Sequence, residues 1–339
     1  MNILYLTRQS PPPERVWTAA FRDALARSGF AVRHLAAETL PPASLLARLR
    51  ETEVLLTSWG SPRLPEALAT DPGTLRYICH INGAVRDYIP AAFWDSPVVV
   101  TNWGSSTGPA VAEGALALLL ACLKNLRPQI EDKLSGRWVC EEAGTIGSLQ
   151  GLKLGFYGFG HIARAFHRIV RELGPDIRVF DPCATELPHD CRRADSLRGL
   201  FADSEAVMIF AALTEETRGS VGKSLLALLP DHAILVNTAR GDIINQDDLF
   251  AELAAGRLRA GLDVLAGEDW LALDHPAIRF KNLILTSHRV GDSYWQTPIS
   301  SEDKQLAFFH KTCLENLARF LDGQPLDHLI GKAQYSRMT

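Results

Sequence analysis

The chain has 339 residues, of which 47% are hydrophobic and 22% charged, as in an ordinary globular protein and unlike a disordered one. A net charge of −4 gives no reason to expect a nucleic-acid partner or an anionic membrane surface. Six cysteines lie far apart, at 79, 122, 140, 183, 191 and 313, with no C-x-x-C pair and no zinc spacing, so reduced structural thiols, a cytoplasmic location and no metal are expected.

Residues 1–7 are a short apolar run without a basic lead or cleavage site, so they read as a first strand rather than a signal peptide. Strand-like runs follow at 32–35, 54–57, 77–79 and 98–100, with helical patterns between them. Such alternation predicts a parallel α/β sheet. Residues 106–125 read as one long helix, with Ser106 or Thr107 as cap and Pro109 in its first turn. Val111, Leu116, Leu118, Leu119, Leu120 and Leu123 make it apolar on nearly all sides, as suits burial between domains or against a second subunit. Its longest unbroken apolar stretch, 115–123, is too short to cross a bilayer. A second series of runs begins at 153–157 and continues at 177–180, 206–210, 233–236, 260–264 and 283–286. Six strands would complete a double mononucleotide unit. A helix over 302–321 is expected to return the chain to its first part. The reading is therefore an α/β protein of two domains. Residues 102–291 would form a Rossmann-type, doubly wound parallel sheet. Residues 1–101 and 292–339 would form a discontinuous, flavodoxin-like domain.

The most informative segment is Gly158, Phe159, Gly160, His161, Ile162 and Ala163, between a strand and a helix. It has the form G-x-G-x-x-A, and Asp181 follows Gly158 by 23 positions, at the end of the next apolar run. Gly158 permits a tight turn, Gly160 lets the backbone approach a pyrophosphate, and small Ala163 lets the helix sit close to the strand. The helix N-terminus offers N–H groups to the phosphates, and Asp181 can accept from a ribose hydroxyl. The helix that follows is marked by Ile162, Phe166, Ile169 or Val170 and Leu173, and is stopped by Gly174 and Pro175. Asp181 favours NAD over NADP, because its carboxylate would repel a 2′-phosphate; Arg192 and Arg193 are expected to be solvated.

Ligands of open α/β sheets bind beyond the carboxyl ends of the strands. Arg240, Glu268 and His288 each follow a strand of the second series. Carbonyl reduction by a nicotinamide needs a proton donor, which an imidazole titrating near neutrality supplies. A carboxylate can orient that imidazole and favour its charged form. A guanidinium fork can hold a carboxylate and polarise the carbonyl.

With these residues in place, the sequence resembles the NAD-dependent D-isomer-specific 2-hydroxyacid dehydrogenases. The likeness runs through residues 152–163, 213–218, 235–241, 261–268 and 285–291, is strong from about 101 to 291, and is weak before that. It implies that Arg240, Glu268 and His288 are the catalytic set. It places the dinucleotide on Gly158, Phe159, Gly160, His161, Ile162, Asp181, Leu213, Thr214, Thr217, Thr238, Ala239, Asp263, His288 and Gly291. It assigns the substrate carboxylate to N–H groups of Asn82, Gly83 and Ala84 with Arg240 and His288, and makes 58–61 a second wall. The first domain would then bind substrate. The implied reaction is reduction of a small 2-oxo acid to the D-2-hydroxy acid, or the reverse, with NAD(H), as in a glyoxylate or hydroxypyruvate reductase. A homodimer is implied too, and Trp138 could reach a neighbouring site. Two alternatives share the scaffold: an NAD-sensing, corepressor-like binding protein, and a formate- or phosphite-type dehydrogenase. The chain departs from the family at Ser287, Arg289, Ala211, Ala212 and 292–295, so the identity of the acid does not carry over.

Overall fold

The computed structural model describes residues 1–138, 146–267, 271–272, 274–291 and 306–335. It divides into two compact units, Met1–Thr107 with Ser293–Thr339, and Gly108–Asp292.

The first unit is a five-stranded sheet of β1 (Ile3–Thr7), β2 (Val32–Ala36), β3 (Val54–Thr57), β4 (Tyr77–His80) and β5 (Val99–Thr101). All pairs are parallel, in the flavodoxin-like order β2-β1-β3-β4-β5. β1, β3 and β4 are buried along their whole length, which is why each reads as an unbroken apolar run. The strands are connected by α1 (Ala19–Arg27), α2 (Pro42–Arg50) and α3 (Glu66–Thr70). Thr18 caps α1 by accepting the Phe21 N–H. A late helix, Phe308–Leu321, covers one face, burying Phe309, Cys313 and Leu317 with Ile3, Tyr5 and Phe21. It starts later than 302: Ala307 is extended, with φ −62° and ψ 155°, and 302–305 lie outside the described residues. This return brings two cysteines that are far apart in sequence together, with Cys79 and Cys313 Sγ atoms 3.5 Å apart as free thiols.

The second unit holds seven parallel strands in the order β12-β11-β10-β9-β6-β7-β8. They are β6 (Lys153–Tyr157), β7 (Asp176–Phe180), β8 (Cys191–Arg193), β9 (Ala206–Ile209), β10 (Ile234–Asn237), β11 (Arg259–Leu262) and β12 (Leu283–Leu285). This is the doubly wound order, with one strand more than the six expected. The extra strand, β8, lies at an edge, where no second neighbour demands apolar side chains. Its Arg192 pairs with Asp176 at 3.1 Å.

The helix expected over 106–125 is α4 (Gly108–Leu123), and a second helix that was not expected, α5 (Leu126–Leu134), follows it at a bend of 67°. The break is Asn125, in the left-handed conformation (φ 49°, ψ 48°), which asparagine tolerates better than most residues. α4 is buried against α6 (His161–Val170), and so closely against β11 that a Cβ on Gly261 would stand 3.0 Å from Leu118 Cβ. α6 runs into a short 3₁₀ turn and ends at Gly174, with φ 74°. α7 (Leu197–Ala202), α8 (Lys223–Leu226) and α9 (Gln246–Ala254) supply a second core on the opposite series of residues, including Leu200, Leu226 and Leu249. Among the described residues, no single helix is long and apolar enough to cross a membrane.

Candidate active site

Because the seven strands are parallel, their carboxyl ends share one edge of the second unit. The order reverses between β6 and β9, and the glycine turn follows β6 at that point. Gly158 has φ 94°, and a Cβ there would lie 2.6 Å from the Ala211 backbone nitrogen, so both conformation and space require glycine. Gly160 differs: no heavy atom lies within 4 Å of where its Cβ would be. It faces open space at the start of α6, where His161 and Ile162 form the first turn. Ala163 is fully buried in the α4–α6 core. Phe159 is buried, with the Arg164 guanidinium over its ring at 4.7 Å.

Asp181, at the end of β7, accepts hydrogen bonds from three backbone N–H groups. They are Phe159 at 2.6 Å, Cys183 at 2.7 Å and Ala184 at 3.1 Å. The acid therefore ties the glycine turn to the loop after β7. Both nearby arginines are exposed, as expected, and each also has a protein partner. Arg192 has its ion pair, and Arg193 donates to the Ala184 carbonyl at 2.8 Å and to the Asp181 carbonyl at 3.3 Å. An open-faced glycine, a helix N-terminus and an acid on the next strand fit a dinucleotide's pyrophosphate and ribose.

After β9, Leu213 is half-buried in the core, and Thr214 and Thr217 close a turn. The Thr217 hydroxyl accepts the Thr214 N–H at 2.7 Å and donates to the Ala212 carbonyl at 2.7 Å. After β10, Asn237 is fully buried and clamps the next turn from both sides. It accepts the Ala239 N–H at 2.9 Å and donates to the Arg240 carbonyl at 2.9 Å. Arg240 is half-buried, and its guanidinium donates to the Ala239 carbonyl at 2.7 Å. Thr238 Oγ1 is buried without a hydrogen-bond partner. Gly241 is obligatory, because a Cβ there would lie 1.9 Å from the Leu265 carbonyl carbon.

Asp263 follows β11 and does for His288 what Asn237 does for Arg240. Its carboxylate accepts from the Thr286 hydroxyl at 2.6 Å and from the N–H groups of Arg289 at 2.9 Å and Val290 at 3.4 Å. Its carbonyl accepts the His288 N–H at 2.8 Å. His288 takes a left-handed conformation, φ 54°, which histidine adopts more readily than most non-glycine residues, and is exposed. Beyond it, Val290 and Gly291 press on α4, where a Cβ on Gly114 would meet Val290 and one on Gly291 would meet Val111 at 2.4 Å. β10 and β12 each pair with β11, so the strands that lead to Arg240 and His288 are about 10 Å apart. Glu268 and 292–295 lie outside the described residues. The clamps at Asn237 and Asp263 were not read from the sequence; a polar residue ending an apolar strand was the available signal.

In the first unit, Asn82 and Gly83 are buried and Ala84 is half-buried, in the turn after β4. Beside it, His80 is fully buried and bonded to the Thr57 hydroxyl at 2.9 Å. Burial pushes its pKa down to about 3, the nearby Ala84 backbone opposing this only in part, so it is neutral. Among the described residues, one group of donor side chains stands apart from these sites, His167, Asp190 and Cys191, with ligand atoms within 4.8 Å of one another. His167 and Asp190 are already paired at 2.9 Å, which ties α6 to the approach to β8.

A doubly wound sheet with a glycine turn at its switch point and an acid on the next strand defines a dinucleotide-binding domain. The chain belongs to the D-isomer specific 2-hydroxyacid dehydrogenase family, whose NAD binding domain model matches residues 116–289. It is 33% identical to a hydroxypyruvate reductase of Thermotoga maritima over 175 residues, which are 50% of this chain and 56% of that one. The matched region thus spans little more than half the length of that relative. Two solved structures share the fold along nearly the whole chain. A D-mandelate dehydrogenase of Rhodotorula graminis has a TM-score of 0.77 at 23% identity, over 97% of this chain and 98% of that one. A D-isomer specific 2-hydroxyacid dehydrogenase of Xanthobacter autotrophicus, in complex with NADPH and MES, has a TM-score of 0.72 at 22% identity, over 98% and 99%.

Proposed function

We propose that the chain reduces a small 2-oxo acid to the D-2-hydroxy acid, or catalyses the reverse, with NAD(H). The observation that carries this reading is the single strand edge that presents the glycine turn, Asp181, Arg240 and His288 together. Gly160, His161, Ile162 and Asp181 would hold the dinucleotide, with Leu213, Thr214, Thr217, Thr238, Ala239, Asp263 and Gly291 lining its nicotinamide half. The bound nicotinamide supplies the hydride chemistry. His288 gives a proton to the substrate's C2 oxygen on reduction, and as neutral imidazole takes it back on oxidation. Glu268 would orient that imidazole. Arg240 holds the carboxylate and polarises the carbonyl. Asn82, Gly83 and Ala84 would offer main-chain N–H groups to a carboxylate. NAD is favoured over NADP by the charge of Asp181.

A panel of 2-oxo acids scored by NADH oxidation tests this reading. At least one acid should be turned over, and His288→Gln should lower kcat by about 10²–10⁴-fold with little change in NADH binding. Near-normal kcat in that variant removes His288 from the reaction. Activity with formate or phosphite but no 2-oxo acid would move the chain to the rival dehydrogenase class, and NADH binding with no turnover would favour the corepressor-like alternative.

The chain is also proposed to pair with a second copy. Leu126, Ile130, Leu134 and Trp138 are spaced four apart along and beyond α5 and are 42, 55, 84 and 86% exposed, an apolar stripe of the kind that marks an interaction surface. Light scattering should give a dimer mass, and Ile130→Glu with Leu134→Glu should give a monomer. A monomeric wild type would end the proposal.

A further inference from the structure

We propose that Trp59 and Trp103 make the turn at 82–84 selective for 2-oxo acids bearing a bulky apolar or aromatic substituent. The inference rests on the reading above, in which that turn takes the acid's carboxylate.

β3, β4 and β5 are neighbours in the sheet, so the turns that follow them leave its edge side by side. Hydrogen bonds latch the three turns together. The Trp59 backbone N–H donates to the buried Asn82 Oδ1 at 3.0 Å. On the other flank, the Trp103 N–H donates to the Asn82 carbonyl at 3.2 Å, and Asn102 Nδ2 to the Gly83 carbonyl at 2.6 Å. The Trp103 indole lies across Gly83: a Cβ there would stand 2.3–2.5 Å from three of its ring atoms. Trp59 meets Trp103 edge to face, with ring centroids 5.3 Å apart and planes at 81°, an arrangement aromatic pairs prefer. The carboxylate turn is thus flanked by two indoles set at right angles.

The polar side chains of the 58–61 turn point inward. Ser58 and Ser61 are fully buried, with Ser58 bonded to the Tyr5 hydroxyl at 2.8 Å and Ser61 donating to the Leu6 carbonyl at 2.5 Å. The outward group is Trp59, which stays 45% exposed although its backbone is fixed. A ring left half in water on a rigid turn is apolar area that a ligand covers with little ordering cost. An acid anchored by its carboxylate at 82–84 carries its C2 substituent to these rings. The hydrogen of glyoxylate leaves Trp59 wet, whereas a phenyl or isobutyl group covers it.

The test compares kcat/KM for phenylpyruvate, 4-methyl-2-oxopentanoate and glyoxylate in the wild type, Trp59→Ala and Trp59→Phe. The larger acids should lead glyoxylate by at least about tenfold, since a single methylene in a hydrophobic pocket is already worth about 10–200-fold. Trp59→Ala should lower that ratio by about tenfold or more, and Trp59→Phe by less. A preference for glyoxylate, or an unchanged ratio in Trp59→Ala, overturns the proposal and leaves the 2-oxo acid reading standing. If no acid is reduced, that reading fails, and binding decides this one. Phenyllactate added with NAD⁺ to fluorotryptophan-labelled protein should then shift the fluorine resonance that is missing in Trp59→Phe. An unmoved line overturns the proposal.

Discussion

Asp263 offers the sharpest test of how the site is held. Replacing it with Ala removes a carboxylate only 4% exposed that accepts from Thr286 Oγ1 at 2.6 Å and the Arg289 N–H at 2.9 Å. The contact with the Val290 N–H, at 3.4 Å, is long and adds little. Hydrogen bonds to a charged group contribute about 1.5–3 kcal/mol each, so two good ones bring about 3–6 kcal/mol. Residues 286–289 are exposed, so water reaches the freed donors and recovers part of this. A net loss of about 2–4 kcal/mol is expected in urea unfolding followed by circular dichroism. The His288 N–H bond to the Asp263 carbonyl survives the substitution, so the imidazole stays nearby but loses its fixed direction. A displacement of about 1 Å can cost 10²-fold, so kcat should drop by about 10–100-fold. Asp263→Asn, which keeps the acceptor oxygen, should lose less on both counts and reports on kcat if the Ala variant does not fold. A stability change below about 1 kcal/mol together with a kcat within twofold of wild type would refute the clamp.

Gly160→Ala and Gly241→Ala should part company. The first meets no atom within 4 Å and has an ordinary φ of −76°, so its stability should hold within about 0.5 kcal/mol while NADH affinity falls severalfold in a calorimetric titration. The second would place a methyl group 1.9–2.3 Å from the backbone of Leu265 and Ala266, and should lose about 3 kcal/mol or more by thermal or urea unfolding. Asp181→Ala should narrow the preference for NADH over NADPH in kcat/KM; an unchanged ratio would remove the ribose role. The pH dependence of stability has a definite sign. Burial lowers His80 to about 3 and His310 to about 4, from 6.5, so below pH 6.5 the unfolded chain binds protons that the folded chain refuses. Stability is therefore fullest above pH 6.5 and falls as the pH drops toward 4, by about 1.4 kcal/mol per pH unit for each imidazole once well below 6.5. His80→Gln or His310→Gln should each flatten the urea midpoint against pH; a slope unchanged in both would contradict the assignment.

Most strands were legible because buried parallel strands are continuous apolar runs, as at 54–57 and 153–157, and need no alternation to be seen. β8 was not, because an edge strand of one cysteine and two arginines carries no such mark. The stop of α4 near Asn125 was legible; α5 beyond it was not, because Arg127, Pro128, Glu131, Asp132 and Lys133 leave too few apolar positions to show a helical period. The glycine turn and Asp181 were legible through spacing. Their mutual hydrogen bond was not, since it depends on how β6 and β7 are registered. The same holds for Asp263, whose partners lie more than twenty residues away; those of Asn237 are only two and three positions on, but so local a clamp leaves no periodic mark. Cys79 and Cys313 show the limit most plainly: nothing in a separation of 234 positions foretells neighbouring sulfurs.

Asp263 grips main-chain hydrogens at 289 and 290 and leaves the side chains there unspecified. Ser287 and Arg289, the chain's departures beside its histidine, can therefore change without shifting the register of the imidazole. Side chains beside the histidine can thus diversify while the backbone that carries it is inherited intact.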